Sequence, residues 1–516
     1  MRRQTLFVVV FLTVPLFAQT PPVIEKIDVS VVNVDVTVTD RLGNPVRGLT
    51  RDDFEVYEDG KSQKITNFYA VENQNRNHRN GAPEEDRFRR NVLVIVDNVT
   101  SGGFNRDRAL DRLEDFVSDR FTGGQYEWSL AVVDRGAAQM LLAPTSDKKQ
   151  IFDAIGEVRK MFAGELPRFP LAPDISPDNS CSTQRLSGML SSGDRLMLAG
   201  SEAHNAATIV QAIRGFSGVP GKKIILLLTT DVILDLNPLN VTDCMPPGTE
   251  ATAGLISRER VRARDYMVRE ANASNVSLYI INTEGLRPGA YESADSLGAR
   301  SAMTEHYVPS TDNSSLFWLA RQTGGRLLPG NRIEQSLSTF DADSSNFYSL
   351  GYRASHGDDG RYHRIHVRMM RDGKFDLQYR EGYTNLPSSL QLVRLLQSPI
   401  APAMQSSSIP VALSFGTPKN TNGTLMVPIT ASVSVTSLTV VPNASTAPVE
   451  VFISLFDDRG RNVNLVHFDR QANSATSTFV EQHALRLKKG AAYRVVVAMR
   501  DPLTEAFGIA QQVVKF

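Results

Sequence analysis

Cysteine and tryptophan are scarce in this 516-residue chain, with two of each, and the first shortage already excludes two architectures. A disulfide-dense small scaffold and a structural zinc module both need more thiols, in tighter spacing, than Cys181 and Cys244 supply. Net charge is lacking too. With 56 basic residues against 56 acidic, nothing in the balance favours nucleic acid or an anionic membrane surface. Arg258, Arg260, Arg262, Arg264 and Arg269 crowd one helical stretch, but Glu259, Asp265 and Glu270 interleave with them, which describes a solvated face. Beyond the amino-terminal stretch, no apolar run is long enough to span a bilayer.

Catalytic signatures are also missing. There is no His-Glu-x-x-His for a zinc hydrolase and no Gly-x-Ser-x-Gly at a strand-to-helix turn. The run GVPGKK at 218–223 has the wrong glycine spacing for a phosphate loop, places Lys223 where a hydroxyl is required, and precedes a strand instead of following one. The eight histidines are scattered. His363 and His366 sit at odd spacing on an alternating stretch, so they face opposite sides and are expected at the surface. Phe317, Trp318, Tyr348 and Tyr352 are expected in the core.

What is present begins with an address. Met1, Arg2 and Arg3, then LFVVVFLTVPLF and Ala18, have the charged start, short apolar centre and small terminal residue of a cleavable signal over 1–18. A retained anchor is the alternative. A secreted or periplasmic mature chain with no transmembrane segment is the expectation, and in such a compartment Cys181 and Cys244 can close a disulfide, with two free thiols as the alternative.

From 22 to 72 the period is two: Val32, Val34, Val36 and Val38 alternate with polar residues, and Glu58-Asp59-Gly60 marks a hairpin. Residues 73–90 carry almost no apolar side chain and read as a linker. Between 91 and 345 strand and helix alternate. The run VLVIV ends in Asp97 and leads to a helix through Ala109, Leu110, Leu113 and Val117. A second run, Ile224 to Leu228, ends in Thr229, Thr230 and Asp231, and a third is Val276 to Ile281. This alternation predicts an α/β fold with a doubly wound, mostly parallel sheet. The period returns to two over 346–385, expected as a β-hairpin extension of the α/β domain. A linker over 386–408 and an Ig-like β-sandwich over 409–516 complete the expected order.

Several of these residues carry a resemblance. Asp97-Asn98-Val99-Thr100-Ser101 resembles the Asp-x-Ser-x-Ser loop of the von Willebrand factor A domain, with Asp97 and Ser101 matching and Val99 replacing the middle serine. Asp231 stands at the second metal loop of that family, although Val232 replaces its glycine. Ala199-Gly200-Ser201, placed just before a helix, would be the third, and Ser201 keeps its hydroxyl. Around the domain, Asp40, Gly43, Pro45, Val46, Leu49, Thr50, Asp52, Asp53 and Phe54 resemble a bacterial "VWFA-related" family, as do Tyr348, Leu350, Gly351 and Tyr352, and Arg380, Gly382 and Tyr383.

The resemblance implies a degenerate divalent-metal site formed by Asp97, Ser101, Ser201 and Asp231, holding Mg²⁺, or Mn²⁺ or Ca²⁺ in its place, with one position left for a carboxylate on a partner protein. The competing view is that Asp97 and Asp231 cap helix starts, or bind loop amides, on a scaffold that has lost its metal. The leading expectation is thus a non-enzymatic adhesion or scaffold protein with an unknown protein ligand. An extracytoplasmic hydrolase with its site in the 164–200 and 232–256 loops is the second candidate, and a polysaccharide-binding scaffold the third.

Overall fold

The computed structural model describes residues 31–71, 89–120, 126–134, 137–163, 192–230, 250–283, 314–404, 407–421, 424–442 and 444–515. It is a mixed α/β protein rich in strands. No described helix is long and apolar enough to cross a membrane.

The chain opens with β1 (Val31–Thr39), β2 (Phe54–Glu58), β3 (Lys61–Gln63) and β4 (Ile65–Val71). The alternating valines of β1 point inward, each nearly inaccessible to solvent. The turn between β2 and β3 takes Asp59 and Gly60 through positive φ (47° and 81°), the left-handed geometry that joins tightly twisted strands.

Next come β5 (Arg90–Asp97), α1 (Gly103–Arg120), β6 (Tyr126–Asp134), β7 (Ala137–Thr145), α2 (Lys148–Lys160), α3 (Ser192–Gly215), β8 (Lys222–Thr229), α4 (Glu250–Ala273), β9 (Val276–Asn282), α5 (Ser314–Gln322), β10 (Leu327–Pro329) and α6 (Ile333–Ser345). The strands form one six-stranded sheet in the order β10-β9-β8-β5-β6-β7. Every neighbouring pair is parallel except β6 with β7.

The unbroken apolar runs of β5 and β8 are explained by burial on both faces. Leu93, Ile95, Ile225, Leu227, Leu278 and Ile280 pack under α3, α4 and α5. Val92, Val94, Val96, Ile224, Leu226 and Leu228 pack under α1, α2 and α6. β7 ends the sheet, and its Pro144 fits an edge because proline donates nothing to a ladder.

The chain then returns to its beginning. β11 (Phe347–Arg353), β12 (Tyr362–Met369), β13 (Asp376–Gln378) and β14 (Gly382–Thr384) add nothing to the six-stranded sheet. They complete two four-stranded sheets with the opening strands, in the orders β13-β1-β11-β4 and β14-β12-β2-β3. One core holds both: Val32, Val34, Val36 and Phe54 lie against Tyr348, Leu350, Tyr352 and Ile365. The expectation that 346–385 extends the α/β domain is corrected. The segment pairs with 31–71, and the α/β domain is inserted into this β unit between Val71 and Phe347, which face each other in the β4–β11 ladder.

The expected linker at 386–408 is also corrected. It carries α7 (Ser388–Leu396) and α8 (Ala401–Met404). Leu392, Leu395 and Leu396 pack against Phe452, Phe456 and Val496 of the carboxy-terminal region, while Ile400 and Met404 enter the core beneath α3. Burial of that many apolar side chains is what a linker lacks.

The last segment has β15 (Val411–Phe415), β16 (Lys419–Thr421), β17 (Thr424–Ser434), β18 (Thr446–Phe456), β19 (Asn462–Asn473), β20 (Thr478–Lys488), β21 (Ala492–Arg500) and β22 (Phe507–Lys515). One sheet joins β15, β16 and β20 to β17, the other runs β19-β18-β21-β22, and a single apolar cluster lies between them.

Candidate functional site

β5 and β8 are adjacent and parallel, with Val96 opposite Leu228, so Asp97 and Thr229 leave the sheet side by side at its carboxyl edge. Open parallel sheets bind ligands at this edge. The loop after β5 is held from below. Asn98 donates its backbone N–H to the Val133 carbonyl at 2.9 Å, and the buried Arg106 of α1 donates to Asn98 Oδ1 at 2.7 Å and to the Met161 carbonyl at 3.0 Å.

Asp97 is fully buried, and five donors converge on its carboxylate. The backbone amides of Val99 and Thr100 donate to Oδ1 at 3.0 and 3.2 Å. Thr100 Oγ1, Thr229 Oγ1 and Asn205 Nδ2 donate to Oδ2 at 2.5, 2.8 and 3.1 Å. Burial raises the Asp97 pKa above the ordinary carboxylate value, against the pull of these hydroxyls and amides. Ser101 is also buried, and Thr283, at the end of β9, donates to its Oγ at 3.4 Å. Thr283 shares a second hydroxyl contact with Thr230 at 3.0 Å.

Of the four residues proposed as metal ligands, the structure brings Asp97 and Ser101 to this edge. Ser201 lies inside α3, nine residues into a helix that starts at Ser192, so Ala199-Gly200-Ser201 is not the loop expected before a helix, and its side chain lies outside the described residues. Asp231 lies outside them as well, as do Cys181 and Cys244; of the two loops assigned to a hydrolase, 164–191 and 232–249 lie outside, while 192–200 and 250–256 are corrected to helix, in α3 and α4.

A hard cation needs oxygen lone pairs aimed at it. A carboxylate offers about four, and those of Asp97 already accept five internal hydrogen bonds, while Val99 offers no side-chain oxygen. The described residues therefore do not fit a resident ion at this edge. Thr100, Thr229 and Asn205, the residues that do engage Asp97, were not singled out in the sequence. A hydroxyl at the end of each neighbouring strand was the available signal for the threonines; Asn205, in mid-helix, gave none.

Among the described residues, two other groups place three metal-ligand atoms within 4.8 Å of one another: Glu58 with His356 and His363, and Glu450 with His467 and Asp469. The second is largely exposed, and Glu450 is already paired with Arg500 at 2.5 Å. In the first, His363 is corrected from a surface residue to a buried one, at 6% exposure. Its ring is stacked on His356 with 3.8 Å between centroids and 14° between planes. Imidazole lone pairs lie in the ring plane, so two stacked rings cannot point at one ion without one of them turning out of the stack.

A cleft of about 1070 Å³ separates β7 from the carboxy-terminal sandwich, lined among others by Gln139, Leu141, Pro399, Arg494, Gln511 and Val513. Its two walls include β7 and β22, each the last strand of its sheet.

No family model matches this chain, and no curated protein matches it. Among solved structures, the VWA domain of SpRpn10 is 10% identical, with 37% of this chain and 74% of that chain covered at a TM-score of 0.18. The pilus adhesin SpaC from Lactobacillus rhamnosus GG is 6% identical, with 86% and 58% covered at 0.25. A putative beta-galactosidase from Bacteroides fragilis is 13% identical, with 20% and 16% covered at 0.16. The chain spans no more than 20% of the length of the Bacteroides glycoside hydrolases it matches. At such scores these likenesses carry no argument about fold or function.

Proposed function

We propose that this protein is a non-enzymatic, protein-binding scaffold that acts outside the cytoplasm. We read its six-stranded sheet, with helices on both faces, as a doubly wound, von Willebrand A-like domain without a working cation site. The observation that carries the proposal is the internal saturation of Asp97. At the edge where such a sheet would present a reactive or metal-bound group, the buried carboxylate of Asp97, the one among the described residues there, is fully occupied by its own chain. What remains for recognition is surface.

The cleft between β7 and β22 is the surface we assign to the partner, because two edge strands offer main-chain hydrogen bonds to an extended polypeptide. The test is selection of extended peptides from a displayed random library on the immobilised full chain. Peptides whose binding is lost in Val513→Glu would support the proposal; Val513 is 64% exposed, so its replacement leaves the fold intact. Hydrolytic turnover of peptide, ester or glycoside substrates, or retention on glycan columns without peptide binding, would overturn it. Mass measurement of the secreted protein before and after reduction and alkylation tests the Cys181–Cys244 bridge that belongs to the same proposal.

A further inference from the structure

Both ring nitrogens of the buried His363 face carboxylates. Nδ1 lies 2.9 Å from Asp59 Oδ2, and Nε2 lies 3.1 Å from Asp359 Oδ1. An ionised carboxylate only accepts, so one ring satisfies both of them only as an imidazolium.

The surroundings fit a positive charge. His356, stacked on His363, has Nδ1 2.9 Å from the Gly357 carbonyl and Nε2 2.9 Å from Glu58 Oε1. Tyr352 of β11 and Tyr383 of β14 donate their hydroxyls to Glu58 Oε2 at 2.6 and 3.0 Å. The Arg364 amide donates to Asp59 Oδ1 at 2.9 Å, and the Arg380 guanidinium lies 5.6 Å from the centre of the Tyr383 ring.

The partners come from opposite ends of the insertion. Glu58 and Asp59 precede the α/β domain; His356, Asp359 and His363 follow it, at separations of 298 residues for Glu58–His356 and 304 for Asp59–His363. The contacts therefore fasten the β2–β3 turn to the 354–361 loop across the discontinuous β unit.

We propose that His363 is a proton-operated clasp: while charged it ties Asp59 to Asp359 and closes the discontinuous β unit, and on losing its proton it lets the β2–β3 turn and the 354–361 loop part. Burial alone would lower the His363 pKa, but Asp359 and Asp59 outweigh it and raise the group above the ordinary histidine value. Asp359 is held low by the Arg361 amide and by His363. Asp59 is held low by the Arg364 amide and His363 against its burial. A raised histidine stabilises fully below its unfolded pKa of about 6.5, and that stabilisation is lost as pH rises through the higher folded value. The depressed carboxylates stabilise above about pH 4 and lose their contribution as pH falls through their folded values. The clasp is closed between these limits and opens on the alkaline side.

Hydrogen-exchange mass spectrometry of the full chain, from about pH 5 to 9, tests this. Protection factors, which remove the intrinsic pH dependence of exchange, should be constant up to about pH 6.5 in peptides covering 57–63 and 354–364. They should then fall by about tenfold per pH unit until His363 has titrated, while β5 and β8 stay protected. His363→Asn, which cannot charge, should show low and pH-independent protection at the two segments. Asp359→Asn, which keeps His363 but removes one carboxylate, should end the fall at a lower pH and make it smaller, and serves if the first variant does not fold. A flat wild-type profile, or one that His363→Asn reproduces, would overturn the clasp. So would Zn²⁺ restoring protection at alkaline pH, which would make the cluster a cation site.

Discussion

Asp97 shows how one side chain can look like a ligand and serve as a keystone. Its position after an unbroken apolar strand was legible from the sequence, and so was its place at a sheet edge. Its partners were not, because Thr229 and Asn205 are 132 and 108 residues away and no local pattern ties them to it. Replacing the carboxylate by a methyl group takes the acceptor from five donors, of which the Thr100 and Thr229 hydroxyls, 2.9 Å apart, can still pair with each other, and unsatisfied buried polar groups cost about 1–3 kcal/mol each before relaxation. Asp97→Ala is expected to lose about 3 kcal/mol or more, read as a drop in the thermal midpoint that Mg²⁺ neither causes nor reverses. A metal-dependent midpoint in the parent that Asp97→Ala abolishes would restore the cation site. His363 teaches the same lesson: the alternation of β12 correctly separates it from His366, one face buried and the other exposed, but the acids that surround it come from distant chain.

At the scale of elements, the apolar runs of β5, β8 and β9 and the periodic faces of α1 and α2 were readable because each is decided by its own sequence. The start of α3 was not: its first residues, Ser192-Gly193-Asp194, have turn composition, yet the helix already includes them. α7 lies within the stretch expected as a linker, and only its packing shows that it joins two domains. It does so partly through charge. Glu270 of α4 accepts from Arg214 of α3 at 2.8 Å and also from Arg394 of α7. Burial pushes Glu270 upward, and the two guanidiniums more than offset this and hold its pKa below the ordinary value. A depressed carboxylate contributes above its unfolded pKa, 4.5 for a glutamate, and the contribution disappears as pH falls through the folded value. Glu270→Gln is expected to cost about 2 kcal/mol at neutral pH, less than a fully buried pair because both arginines keep some access to water, and little near pH 3. Urea unfolding of the parent and variant across that range measures the difference; an equal cost at both ends would refute the assignment.

For the whole molecule, the sequence offered a row of domains, and the structure folds the row back on itself. Short alternating strands before and after the α/β region look alike in sequence, and nothing local says that they pair across it. The junction is as tight as a hairpin, since Val71 and Phe347 are direct partners in antiparallel strands. The inserted domain thus occupies the place of a turn. Replacing 72–346 with Asn-Gly is expected to leave a folded β unit of roughly 80 residues, close to the smallest size that holds a core unaided. Dispersed amide resonances with the β4–β11 ladder intact would show it; a collapsed spectrum would mean that the insert supports its host.

That junction also sets the path of mechanical load. Tension applied across the β unit alone, at Val31 and at Thr384, enters β1 and leaves through β14, and it crosses the ladders that join β1 to β11 and β11 to β4 without stretching the residues between Val71 and Phe347. The six-stranded sheet is sheltered until those ladders unzip, so a pull strong enough to open the host would be felt by the guest only afterwards, as a second and separate event.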